Sequence, residues 1–166
     1  INAVFAASSK QHFNSSTQEL CDLWCELTPD KIYRTDLASI GKIGLGWVRD
    51  VTMGAAFENK IASELLDSSP LEELISQNID FSQIEKNIKS SRISGVACTA
   101  FDYQQKRTVS FVESAPNIKL WERPKRYSEK VKLSTEHIHA SCAIPIIFEP
   151  VEIDNTFYGD GSLRNC

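Results

Sequence analysis

An aspartate between two glycines lies near the end of the sequence, in the stretch FYGDGSLRNC at residues 157–166. A carboxylate such as that of Asp160 can serve as a general base. Gly159 and Gly161 permit a positive φ angle and leave room for another group to approach closely. Asp-Gly is also an ordinary turn sequence. The stretch alone therefore predicts either a simple turn or a carboxylate presented to a partner.

Two histidines upstream of this aspartate are the next residues that could do chemistry. His137 and His139 are two positions apart, so on a helix they point in different directions. Packing or surface roles are therefore favoured over general-base catalysis. A metal-dependent hydrolase that combines them with Asp160 is a weaker alternative, because their spacing is wrong and no calcium-loop pattern of carboxylates surrounds them.

The five cysteines predict free thiols. Their number is odd and no CxxC pair occurs, so neither a disulfide framework nor a zinc site is indicated. His139 and Cys142 could share a helix face, but a zinc site needs a second pair of ligands. Buried thiols in a reducing compartment are the expected arrangement, and this favours a cytoplasmic location.

Composition limits the possible classes of protein. A chain of 166 residues is long enough for one domain with a sizeable core. The net charge of −4 argues against broad nucleic-acid binding, which requires concentrated positive charge. No apolar run approaches the roughly 18 residues of a membrane span. The opening INAVFAASSK has no basic region before its apolar residues and does not resemble a signal peptide.

Helical and strand patterns alternate along the chain. Capping signals predict helices that begin near Ser16, Ser69, Asp80 and Ser134. Residues 92–103 and 107–113 are rich in β-branched and aromatic side chains and predict a hairpin. A second hairpin is predicted where EPVEI, the turn DN and TFYGDGS follow one another, and it places Asp160 at a strand end. Residues 36–50 contain GxxGxG, which predicts a loop and not a dinucleotide site, so no cofactor is expected.

The segment WERPKRYSEKVK at residues 121–132 is basic and contains two aromatic residues. A solvated surface loop is the ordinary interpretation of such a charge run. A second interpretation is contact with the anionic headgroups of a membrane surface.

Several segments together resemble the patatin-like phospholipase family, particularly its bacterial members. They occur in the family's order and are INAVFAAS, LLDSSPLEELI, ISGVACTAFDY, HASCAIPIIFEPVEI and YGDGSLRN. The resemblance implies a three-layer α/β fold related to the α/β-hydrolases. It also implies hydrolysis of acyl esters of lipids, with a lipid or another acyl ester as the partner.

Family members use a serine on a GxSxG elbow together with the aspartate of an Asp-Gly motif. By resemblance, Asp160 is the general base and Gly161 completes the motif, with Ser162 where the family more often has glycine or alanine. The sequence contains no GxSxG, and INAVFAAS matches the helix that follows the elbow. We therefore expect residues 1–166 to be a partial domain that is incomplete at the N-terminus and inactive alone. A non-catalytic lipid-binding or oligomerising module on the same scaffold is the alternative, and the oligomeric state is not indicated.

Overall fold

The protein is a mixed β-sheet with helices packed against it. A computed structural model describes residues 1–8, 13–34 and 66–164. The glycine-containing segment predicted as a loop at residues 36–50 lies outside these ranges. Among the residues that are described, no helix is long and apolar enough to cross a membrane.

Within the described ranges, six strands form one sheet in the order β3-β4-β2-β1-β6-β5. Strands β2 and β4 are parallel, and the other neighbouring strands are antiparallel. The strand bounds are β1 (Gly95–Asp102), β2 (Arg107–Ser114), β3 (Glu122–Arg123), β4 (Arg126–Lys130), β5 (Val151–Ile153) and β6 (Thr156–Asp160).

Both predicted hairpins are confirmed. Strands β1 and β2 pair from Gly95 with Ser114 to Asp102 with Arg107, around the polar turn that contains the predicted QQK. The β5–β6 hairpin closes through Asp154 and Asn155, whose φ angles are 49° and 61°. A two-residue turn with both φ angles positive matches the twist of its strands, and aspartate and asparagine tolerate it well.

The helices of the described ranges bury one side against the sheet or against each other. Their bounds are α1 (Asn2–Ala7), α2 (Phe13–Cys25), α3 (Ser69–Asn78), α4 (Phe81–Lys89) and α5 (Thr135–Ala140), with 3-10 turns at Pro29–Lys31 and Gly161–Arg164.

Three of the four helix starts agree with their capping signals. The Asp80 side chain accepts from the backbone N–H groups of Ser82 and Gln83, and Ser134 is the N-cap of α5. The prediction at Ser16 is wrong, because α2 begins three residues earlier and the Ser16 hydroxyl bonds that of Ser8 at 2.6 Å. The N-cap of α3 is Ser68, one residue before the predicted Ser69.

One face of the sheet carries the core. Cross-strand partners share a face, and this face presents Val96 and Ala100 of β1, Val109 and Phe111 of β2, and Tyr158 of β6. Small alanines of α1 and isoleucines of α3 and α4 pack in the same cluster: Ala3, Ala6, Ala7, Ile75 and Ile84. Because the α1 side chains are small, this helix can lie close to the strands.

Helix α1 is tied to α4 by a buried amide. The Asn87 side chain is 3% exposed, and its Nδ2 donates to the carbonyl oxygens of Ala6 at 2.8 Å and Ser8 at 3.0 Å. These carbonyls belong to the C-terminal end of α1, where helix carbonyls lack partners within the helix. Asn87 therefore fixes where α1 ends.

Candidate active site around Asp160

Asp160 is the last residue of β6 and sits opposite Ala100 of β1. Because cross-strand partners share a face, its side chain lies on the core face that α1 covers. The Asp160 backbone N–H donates to the Ala143 carbonyl oxygen at 2.8 Å. The residue is therefore held by β1 on one side and by the chain after α5 on the other.

One of the two oxygens of the Asp160 carboxylate accepts a hydrogen bond. Its Oδ1 accepts from the backbone N–H of Ser162 at 2.8 Å, while Oδ2 has no hydrogen bond within the described part of the chain. The Ser162 side chain is exposed. Only the backbone of residue 162 is used, so a serine in place of the family's glycine or alanine leaves this contact intact.

The two glycines allow close packing and not an unusual backbone, since neither has a positive φ angle. A Cβ on Gly161 would lie 2.7 Å from the Thr99 carbonyl oxygen, and one on Gly159 would lie 2.5 Å from the Tyr103 hydroxyl. Close approach is confirmed, but the approaching groups belong to β1 and the residue that follows it. The possibility of a positive φ is not realised here.

Cys142 precedes Ala143, whose carbonyl oxygen accepts from the Asp160 backbone. Burial raises the pKa of the Cys142 thiol, and the Asp160 carboxylate raises it further. Some of the side chain's surface is exposed to solvent, while protein atoms desolvate the rest. Asp160 lies opposite Ala100, and the buried alanines of α1 pack in the same core cluster as Ala100. Helix α1 and the Asp160 side chain therefore lie on the same face of the sheet.

The two histidines pack in the protein, as their spacing predicts. His137 Nδ1 bonds the Ser134 hydroxyl at 2.7 Å, and its ring meets that of Phe111 edge-on. His139 Nε2 lies 3.0 Å from the Ser68 hydroxyl. Both side chains are buried, and burial lowers the pKa of each imidazole.

The metal-dependent alternative gains no support from these positions. In the described ranges, no group of three or more histidine, cysteine, aspartate or glutamate residues is arranged to hold a metal. The hydrogen bonds of His137 and His139 go to serines and not to Asp160.

The cysteines within the described ranges are free, as predicted, but the expected burial is wrong for most of them. Cys21, Cys25 and Cys142 are exposed, and Cys98 is half-buried with a pKa that burial raises to about 12. Helix α2 exposes many of its side chains, including Trp24, so its two thiols stay at the surface.

The contacts that orient Asp160 could not be found by reading along the chain. Thr99 and Ala143 carry no motif of their own, and the first lies some sixty positions before the aspartate. The sequence gives only an indirect indication of Thr99. The glycine at position 161 indicates that some backbone approaches closely there, but not which one.

Asp160 thus ends a strand of a mixed sheet, on the face that α1 covers. The family model of the patatin-like phospholipases matches residues 1–166. The chain therefore belongs to the patatin-like phospholipase family, a class of lipid acyl hydrolases, and its fold is the three-layer α/β fold that the sequence predicts. Searches of curated proteins and of solved structures gave no match.

Proposed function

We propose that Asp160 is the general base of a Ser-Asp dyad that hydrolyses acyl esters of lipids. The nucleophilic serine is assigned to residues that precede Ile1 in the parent protein. The observation that supports this is that Asp160 ends β6 on the face of the sheet that α1 covers. A serine a few residues before Ile1 would stand at the N-terminal end of α1, on the same face of the sheet as the carboxylate.

The contacts of Asp160 suit this role. A serine hydroxyl is a weak nucleophile unless an adjacent base takes its proton. With Oδ1 held by the Ser162 N–H, Oδ2 has no competing hydrogen bond among the described residues and can accept that proton. The serine oxygen forms a bond with the ester carbonyl carbon, and the carbon–oxygen bond to the alcohol breaks. Asp160 returns the proton to the leaving alcohol, and water then releases the acid by the same route.

The test compares esterase activity on a p-nitrophenyl acyl ester. We expect residues 1–166 alone to give no turnover and the same chain extended upstream of Ile1 to be active. In the extended protein, Asp160→Asn should lower kcat/KM by at least about 100-fold, because general-base catalysis contributes that much or more. Ser162→Ala is the matched control and should retain activity, since only the backbone of residue 162 touches the carboxylate.

Three results would contradict the proposal. Turnover by residues 1–166 that is abolished by changing a serine within them would move the nucleophile. An active Asp160→Asn variant with a large share of the original rate would exclude Asp160 as the base. An upstream sequence without a serine before α1 would favour the non-catalytic lipid-binding or oligomerising module.

A further inference from the structure

A second surface with a distinct composition lies far from Asp160 in the sheet order. Residues 117–126, NIKLWERPKR, are called the basic segment here and join β2 to β3 and β4. They contain four cationic side chains and one carboxylate, in a chain whose net charge is −4. Positive charge is therefore concentrated on a molecule that is otherwise acidic.

The charges of the basic segment are largely available for an external partner. Its one carboxylate, that of Glu122, forms a salt bridge with Arg107, with 2.8 Å between Oε1 and the Arg107 Nη2. Lys119, Lys125 and Arg126 form no ion pair with any residue that the structure describes. An anionic surface would meet these three cations without first breaking an internal salt bridge.

The basic segment also exposes large apolar side chains to solvent. Ile118, Leu120 and Trp121 are 38%, 42% and 41% exposed. Trp121 is fixed by its backbone, because its N–H donates to the Ser128 hydroxyl at 2.7 Å and its carbonyl accepts from the Ser128 N–H at 2.9 Å. Exposed apolar groups lower the free energy when they enter an apolar phase, and a backbone that is already fixed adds no main-chain ordering cost.

An apolar cavity of about 340 Å³ opens beneath these side chains. Its walls include Val96 and Ala97 of β1 and Val112 of β2, together with Leu120 and Trp121. Such a lining contacts hydrocarbon favourably. The basic segment thus offers cations and an apolar recess side by side, the two properties that a lipid with an anionic headgroup requires.

The basic segment follows a strand that runs in the same direction as the strand that carries the proposed base. Strands β2 and β6 both pair antiparallel with β1, so their C-terminal ends lie toward the same edge. The chain leaves β2 after Ser114, and β6 ends at Asp160. Ser114 pairs with Gly95 of β1 whereas Asp160 pairs with Ala100, so the end of β2 and Asp160 are two strands and five residues apart, roughly 20 Å.

We propose that the basic segment docks the protein on anionic lipid surfaces. Lys119, Lys125 and Arg126 contact the headgroups, and Leu120 and Trp121 enter the interface, where tryptophan is favourably placed. Each cation near an anionic bilayer contributes binding free energy that salt weakens. This docking does not require Asp160 to be catalytic, so it stands or falls independently of the proposed hydrolysis.

Co-sedimentation of the full chain with vesicles tests the docking. We expect binding to phosphatidylcholine vesicles that contain phosphatidylglycerol, and weaker binding as salt rises from about 0.05 M to about 0.5 M. Lys119→Gln with Lys125→Gln should weaken binding about fivefold for each lysine removed. Leu120→Ala with Trp121→Ala should weaken it about tenfold or more.

Matched variants elsewhere control for charge and for an exposed indole. Lys31→Gln with Lys86→Gln removes the same charge, and Trp24→Ala removes a side chain that is 57% exposed on α2. Both should bind like the original protein, and thermal unfolding checks that every variant folds.

Equal losses in the control variants would overturn the docking surface. Binding that does not change with salt concentration or lipid charge would also contradict the proposal, as would the absence of binding to any vesicle. If Leu120→Ala with Trp121→Ala instead dissolves an oligomer seen by sedimentation velocity, and vesicle binding is unchanged, the surface contacts a second copy of the chain and the lipid proposal is wrong.

Discussion

The orientation of Asp160 depends on main-chain groups. The backbone of Asp160 donates to Ala143, and its carboxylate accepts from the backbone of Ser162. No side-chain donor is involved in these two contacts. Changes of nearby side chains should therefore leave the carboxylate in place, while a change that displaces the backbone should move it.

Gly161→Ala is such a change. The added Cβ would stand 2.7 Å from the Thr99 carbonyl oxygen and 2.9 Å from the Thr99 carbonyl carbon, and the backbone of β1, which is paired on both sides, cannot shift freely. We expect this variant to lower the free energy of unfolding by about 1–3 kcal/mol, as overpacking does. Urea unfolding followed by circular dichroism measures the change.

Gly159→Ala provides the comparison for this prediction. Its Cβ would meet the hydroxyl end of Tyr103, a side chain whose ring can rotate away. The loss of stability should be smaller than for Gly161→Ala. A larger loss at position 159 would show that the Thr99 contact is not the tighter constraint.

At the scale of single residues, the sequence indicated which residues belong to the candidate site but not which groups contact them. Asp160 and Gly161 could be selected because the Asp-Gly pair follows a predicted strand and matches a family motif. Their neighbours Thr99 and Ala143 could not, because main-chain groups of any residue type can make the same contacts.

At the scale of secondary-structure elements, the Asn87 side chain holds helix α1 in position relative to α4. Its buried amide satisfies two carbonyl oxygens at the C-terminal end of α1. Its Oδ1 in turn accepts from Gln83 Nε2 at 2.9 Å. One side chain thus joins the helix beside the proposed site to the remainder of the core.

Asn87→Ala should therefore destabilise the protein by about 1–3 kcal/mol, the usual effect of leaving buried polar groups without partners. Denaturant unfolding gives the value. Asn78→Ala is the control, since the exposed Asn78 amide bonds only Leu74 of its own helix. Similar losses for both variants would contradict the bridging role of Asn87.

The hairpins and three of the four helix starts were predictable at this scale, and the start of α2 was not. The turn around Asp154 and Asn155 has its own sequence signal, because both residues tolerate positive φ angles. Ser16 also resembles a local cap, but its hydroxyl is used by Ser8 of another segment. A tertiary hydrogen bond of this kind leaves no local pattern.

The stability of the whole molecule should depend on pH through its two described histidines. Burial disfavours the charged form of His137 and His139, so the pKa of each is lower in the folded than in the unfolded protein. As pH falls, the unfolded chain binds protons first. The stabilisation is complete above an ordinary histidine pKa of about 6.5 and decreases as pH falls below it.

We expect the thermal unfolding midpoint to fall between about pH 7.5 and pH 5.5. His139→Gln should reduce this dependence, because glutamine does not titrate and can still bond the Ser68 hydroxyl. Differential scanning fluorimetry across pH makes the comparison. If the unfolding midpoint of the variant changes with pH as steeply as that of the original protein, protonation of His139 does not contribute to the pH dependence of stability.

The α/β class of the molecule was predictable from alternating helix and strand patterns, but the strand order was not. Strand β6 inserts between β1 and β5, and β4 pairs parallel with β2. These pairings join distant parts of the chain, and their register depends on which faces are buried.

The pairing of β6 with β1 also has a consequence for the order of folding. Each of the two hairpins closes a short loop, and such loops form within microseconds. Joining them through Ala100 and Asp160 closes a loop of some sixty residues, which is slower because more chain entropy is lost. Two separate hairpins, before they pair with each other, do not yet contain the candidate site. The carboxylate would reach its position only when the sheet is completed.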